Sequence, residues 1–216
     1  MHRLVGQTHA KLLSLALLAC VVALAGGGCS AVAGAGSGSA GSEGANMIVT
    51  HMATATSPVG GDHHLTVSVS CASGEQMVAG GYAVVGVFES DYSLLATYPS
   101  ADQTWTVSAD SGSTYTLQSL VYCLSASPSL GIQRLQARNC PPGTVHLSSG
   151  FYGAIPLGGN TATTPYVLCA SRGVTPTAQG FRVGTTELDC ASQATGDSQS
   201  ESRTFSYTCT AIRASA

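Results

Sequence analysis

Six cysteines after residue 46 fall into three successive pairs, and this layout constrains the fold more than any other feature of the chain. The pairs are Cys71 with Cys123, Cys140 with Cys169, and Cys190 with Cys209. In each pair an early cysteine is followed by turn-forming residues, and a late one lies inside a strand-like run. Six cysteines allow 15 pairings. The choice of 71–123, 140–169 and 190–209 rests on repeat logic, each bond closing its own unit. Such bonds belong to oxidising compartments and typically contribute about 2–4 kcal/mol apiece.

The amino terminus reads as an export signal. Arg3 and Lys11 form a basic stretch, and Leu12 to Ala25 form an apolar run of 14 residues. A membrane span needs about 20. The small residues Ala25-Gly26-Gly27-Gly28 then lead to Cys29, a pattern that resembles the lipobox of bacterial lipoproteins, with Gly26 where Leu is usual. Cleavage after Ala25 would leave Cys29 unpaired among seven cysteines, whereas acylation of Cys29 leaves six to pair. Residues 1–28 are therefore expected to be a signal peptide. Residues 29–46 follow as the lipidated cysteine and a Gly/Ser/Ala tether with a mean reach of about 23 Å. The domain proper covers 47–216. An N-terminal lipid anchor would make the membrane one partner and the cell surface or envelope the location; a secreted soluble protein is the alternative.

Charge excludes one class of partner. Lys11 is the sole lysine and lies in the leader, and six arginines face eleven acidic residues from Cys29 onward. Nucleic acid binding needs clustered Lys and Arg. None is expected here.

Internal comparison shows a worn repeat, with units at about 47–123, 121–169 and 166–209. Cys71, Gly74, Gly81 and Tyr82 match Cys140, Gly143, Gly150 and Phe151 at offsets of three, ten and eleven. The third unit has Gln193 at the first glycine position and no Gly-aromatic pair. Apolar residues lie in short β-branched and aromatic runs between Gly, Pro, Asp and Ser, a period-two pattern without helical spacing. The expected fold is all-β: a disulfide-stabilised antiparallel sandwich or prism-like arrangement built from three degenerate repeats. Within it, Thr104–Ala109 and Thr114–Leu124 read as a hairpin around residues 110–113, with Trp105 facing inward alongside Val107. Gly80-Gly81 reads as a bulge or tight bend.

The run Cys71-Ala-Ser-Gly, Gly80-Gly81-Tyr82, Tyr98-Pro99, Trp105-Thr106-Val107 and Tyr122-Cys123 resembles a domain common in exported bacterial proteins of unknown function. The likeness is good over 65–125, moderate over 126–169 and poor beyond. It implies a disulfide-bonded β domain on secreted or surface proteins, and it carries no catalytic residues across.

Chemistry-bearing motifs are scarce. His63 and His64, beside Asp62, would point to opposite faces of a strand and so do not suit one ion; His51 and His146 sit at no ligand spacing. No metal or cofactor is expected. There is no C-x-x-C, G-x-S-x-G or S-x-x-K. The best ligand-binding candidate is the segment from Tyr92 to Trp105, which concentrates Tyr92, Tyr98, Asp102 and Trp105; the plainer reading makes Trp105 and Tyr98 core and corner residues. The function expected is a non-catalytic cell-surface module binding a glycan, an envelope polymer or a protein. The alternative is a secreted polysaccharide hydrolase using Glu89, Asp91 or Asp102 as acid or base.

Overall fold

A computed structural model describes residues 47–59, 63–87, 92–125, 129–153, 163–196 and 203–213. All lie in the second of the chain's two units, Ala31–Ala216. The leader, Cys29 and the tether fall outside the described residues, as do Glu89 and Asp91.

Among the described residues every regular element is a strand: β1 (Met47–Thr56), β2 (Leu65–Ser70), β3 (Glu75–Val87), β4 (Tyr92–Ala101), β5 (Thr104–Ser111), β6 (Thr116–Ser125), β7 (Ile132–Leu135), β8 (Val145–Tyr152), β9 (Thr164–Ala170), β10 (Thr175–Pro176), β11 (Gly180–Val183), β12 (Thr186–Thr195) and β13 (Arg203–Arg213). They form two antiparallel sheets, one ordered β1-β6-β3-β13-β12-β11-β10 and the other β2-β5-β4-β8-β9-β7. Two sheets make a sandwich, not a three-sided prism.

The proposed hairpin at 104–124 does not form. β5 pairs with β2 and β4, while β6 pairs with β1 and β3, so the chain crosses from one sheet to the other between them. The Asp110–Thr114 stretch supplies a turn signal, but which strands pair is set by burial. Both strands carry an apolar face, and the two faces meet across the core instead of lying side by side. Trp105 does face inward with Val107 and Ala109, all three almost fully buried.

Two glycines explain how the indole fits. A Cβ at Gly80 would fall 1.8 Å from the Trp105 ring, so the ring lies flat against the β3 backbone. A Cβ at Gly81 would stand 2.4 Å from the Tyr207 carbonyl oxygen, which lets β13 close on β3. The bulge expected at this pair lies earlier, at Val78, where β3 slips by one residue against β6. Side-chain bonds hold the indole in place: Trp105 Nε1 donates to Thr97 Oγ1 of the neighbouring strand at 3.0 Å, and across the two layers Ser119 Oγ donates to the Trp105 carbonyl at 3.1 Å.

The disulfides are Cys71–Cys123, Cys140–Cys169 and Cys190–Cys209. The first two share one local geometry. After Cys71 and Cys140, a turn closes with Glu75 N donating to Ala72 O and Thr144 N donating to Pro141 O. Gly74 and Gly143 take positive φ in these turns, at 87° and 81°, a conformation that glycine adopts without steric cost. Six residues past the early cysteine, Met77 stands opposite Cys123 and His146 opposite Cys169. The next residue, Val78 or Leu147, is the extra one of a bulge and is buried. Both bonds hold their Cα atoms 5.7 Å apart. The first ties the two sheets together, because Cys71 follows β2 and Cys123 lies on β6. The third is built differently: Cys190 and Cys209 are direct cross-strand partners with Cα atoms 4.0 Å apart.

Candidate functional site

The period of a strand sends Thr97 inward, where it holds the Trp105 indole, and so sends Tyr98 to the opposite face. Tyr98 does not stand alone there. Its ring centroid lies 5.3 Å from that of Tyr152, edge to face, and 5.1 Å from that of Tyr166, tilted. Three strands, β4, β8 and β9, thus supply one aromatic cluster. Such pairs contribute about 0.5–1.5 kcal/mol beyond their area. Tyr152 is its open lip, 51% exposed.

Gly150 brings the cluster together. It stands opposite Tyr166 in the β8–β9 ladder, and a Cβ on it would lie 2.7 Å from Tyr98 Cα and 2.4 Å from Thr97 O. Only a residue without a side chain allows β8 this close to β4. Burial pushes the Tyr98 hydroxyl above its ordinary range, and Tyr152 and Tyr166 push it further, against the pull of Arg134. The guanidinium of Arg134, on β7, donates through Nη1 to the carbonyls of Pro99 and Ser100 and so braces the strand that carries Tyr98.

Beside the tyrosines lies a cleft of about 320 Å³, bordered by Tyr98, Tyr152, His64, Thr66, Thr106 and Ser108. Leu95 and Ala96 line it too, and its Thr66, Thr106 and Ser108 belong to a ladder of hydroxyls that runs on beyond the cleft. Thr66 bonds Ser108 at 3.0 Å, Ser68 bonds Thr106 at 2.7 Å, Ser70 bonds Thr104 at 2.8 Å, and Ser100 joins Thr106 at 2.7 Å. The first three pairs are cross-strand partners on β2 and β5, which places their side chains on one face, and Ser100 reaches them from β4.

His64 closes the far side. Its Nδ1 donates to Asp110 Oδ1 at 2.7 Å, and its Nε2 faces the hydroxyls of Thr66 and Ser108, each at 3.4 Å. The order Asp110, His64, Ser108 is that of a serine-hydrolase relay. The proton of Ser108, however, is directed at the Leu65 carbonyl, 3.2 Å away, and the serine lies buried in mid-strand. The chain of bonds fixes the imidazole tautomer and leaves Nε2 as an acceptor at the cleft wall.

The expected ligand segment is therefore divided. Trp105 is a core residue, 1% exposed. Tyr92 stacks on Phe205 of the opposite sheet, centroids 4.8 Å apart, away from the cleft residues. Asp102 is 92% exposed and stands 3.8 Å from Arg134 Nε at the margin. Only Tyr98 joins the cluster. Tyr152 and Tyr166 were not among the residues singled out, though Tyr152 follows the Gly150-Phe151 pair of the second unit directly.

His63 and His64 take separate partners: His63 Nδ1 lies 3.4 Å from Ser57 Oγ. Among the described residues one cluster offers metal-like spacing, His51, Glu75 and Cys123. The sulfur of Cys123 is committed to a disulfide, and Glu75 Oε2 accepts from His51 Nε2 at 2.7 Å and from Ala72 N at 2.8 Å. A thiolate ligand is thus not on offer there.

No family model matches the chain, and no curated protein matches it.

Proposed function

We propose that this protein is an exported, surface-held binding module whose ligand is an uncharged glycan of the cell envelope, seated against Tyr98 and Tyr152. The observation that carries this reading is the three-tyrosine cluster bordering a cleft lined in part by serine and threonine hydroxyls. Aromatic faces cover the apolar face of a sugar ring at little entropic cost, and the short hydroxyls of Thr66, Thr106 and Ser108 meet its hydroxyl groups. The carboxylate at the cleft, that of Asp110, accepts from His64 Nδ1, which favours a neutral ligand over an anionic one.

The three disulfides fit a protein that folds outside the reducing cytosol. Acylation at Cys29 would hold the module at the membrane, with residues 30–46 as its leash. Labelling with a radioactive fatty acid, compared between the natural chain and Cys29→Ala, tests the anchor. A glycan and envelope-polymer array, read for the natural protein and for Tyr152→Ala, tests the ligand class. Retention of signal in the variant would remove the cleft from the account.

A further inference from the structure

The four outer edges of the sandwich are unequal. β10 is two residues long and contains Pro176, which has no N–H to offer. β7 is four residues long and carries Arg134. β2 has six residues, its exposed positions being Thr66, Ser68 and Ser70. β1 has ten residues, MIVTHMATAT, with no Lys, Arg, Asp, Glu, Pro or Gly. It pairs with β6 through ten consecutive positions without a bulge, and it is the end strand of its sheet. Short strands, proline, charge and bulges are the devices that keep an edge from pairing. β10 and β7 show them; β2 is uncharged too but only six residues long, and β1 is the longest edge strand and shows none.

Half of the large apolar side chains exposed among the described residues lie on or just after this strand, the others being Val85, Tyr152 and Ile212. Met47 is 46% exposed and Met52 47%, both on β1, and Val59 just beyond it is 91% exposed. The one ionisable residue of the strand, His51, is engaged with Glu75.

We propose that β1 is an interaction edge and that its occupant is the β1 of a second copy of this chain, added antiparallel about a two-fold axis. The strand suits its own copy because it brings no charge to repel itself, and isologous pairing satisfies both free edges at once and closes. Antiparallel addition also sets the two Met47 ends of β1 at opposite ends of the joint. Parallel addition would crowd them side by side. The result is one continuous fourteen-stranded sheet, twice the seven of a single copy.

Sedimentation equilibrium of the full chain over a wide concentration range tests this, with hydrogen exchange of the β1 amides at both extremes. The natural protein should show a monomer–dimer equilibrium, with the outward-pointing amides of 47–56 more protected at high concentration and the Thr175 amide unchanged. Met52→Lys places a charge on an exposed edge position, which the fold tolerates. It should weaken the dimer by about tenfold or more and abolish the added protection. A natural protein that stays monomeric overturns the proposal. So does a Met52→Lys protein that dimerises normally, and so does open-ended assembly beyond the dimer.

Discussion

Gly150 and Tyr98 stand so close that a Cβ on the glycine would lie 2.7 Å from the tyrosine Cα. This contact draws β8 onto β4 and sets Tyr98 against Tyr152 and Tyr166. Gly150 is thereby the residue that assembles the tyrosine cluster. Gly150→Ala should destabilise the domain by about 1–3 kcal/mol through overpacking. It should also weaken glycan binding more than a destabilisation of that size explains at temperatures where the variant stays folded. Chemical denaturation and binding measured on the same samples separate the two effects.

Trp105 and Tyr152 should fail in different ways. Trp105→Ala empties a core position packed on the Gly80 backbone and should cost about 3–5 kcal/mol. Tyr152→Ala removes a half-exposed ring and should cost only about 0.5–1.5 kcal/mol, the loss of its ring pair with Tyr98, while binding is lost. Thermal melts beside binding isotherms check both.

The disulfides should contribute unequally. Cys71–Cys123 spans 52 residues and Cys190–Cys209 spans 19, so in the chain-entropy model the first stabilises by about 1 kcal/mol more. Paired serine substitutions, Cys71→Ser with Cys123→Ser against Cys190→Ser with Cys209→Ser, compared by urea unfolding, give the difference directly.

Acid should weaken the fold through His146, which lies opposite Cys169. Burial holds its imidazole below the ordinary value of 6.5. The unfolded chain then binds the proton more readily, so stability is fullest above that value and declines as pH falls from it toward the folded-state value. His146→Gln, which keeps a polar partner for Ser149, should flatten this part of the stability profile.

Asp102 tests the hydrolytic alternative. Its carboxylate is exposed and faces Arg134, so Asp102→Asn should leave glycan affinity within about twofold, a surface-sized effect. Incubation of the natural protein with the bound polysaccharide should release no reducing ends.

Much of the fold was legible in the sequence because cysteine spacing and period-two patterning are local. The pairing of Cys71 with Cys123 and the burial of Trp105 both follow from such signals. The partners of β5 and β6 were not legible. A turn between two strands looks the same whether the chain folds back within a sheet or crosses the core, and here burial of both apolar faces decides. The binding face was legible only at Tyr98. Tyr152 and Tyr166 reach it through the β4–β8 contact at Gly150, and no spacing within one segment encodes an approach between strands more than fifty residues apart.

The most direct measurement is a calorimetric titration of the strongest array ligand into the full chain, with Tyr98→Ala and Tyr152→Ala in parallel. Saturable one-site binding that each substitution weakens by about tenfold or more, with folding intact, is the predicted result. Equal affinity in all three proteins would contradict it.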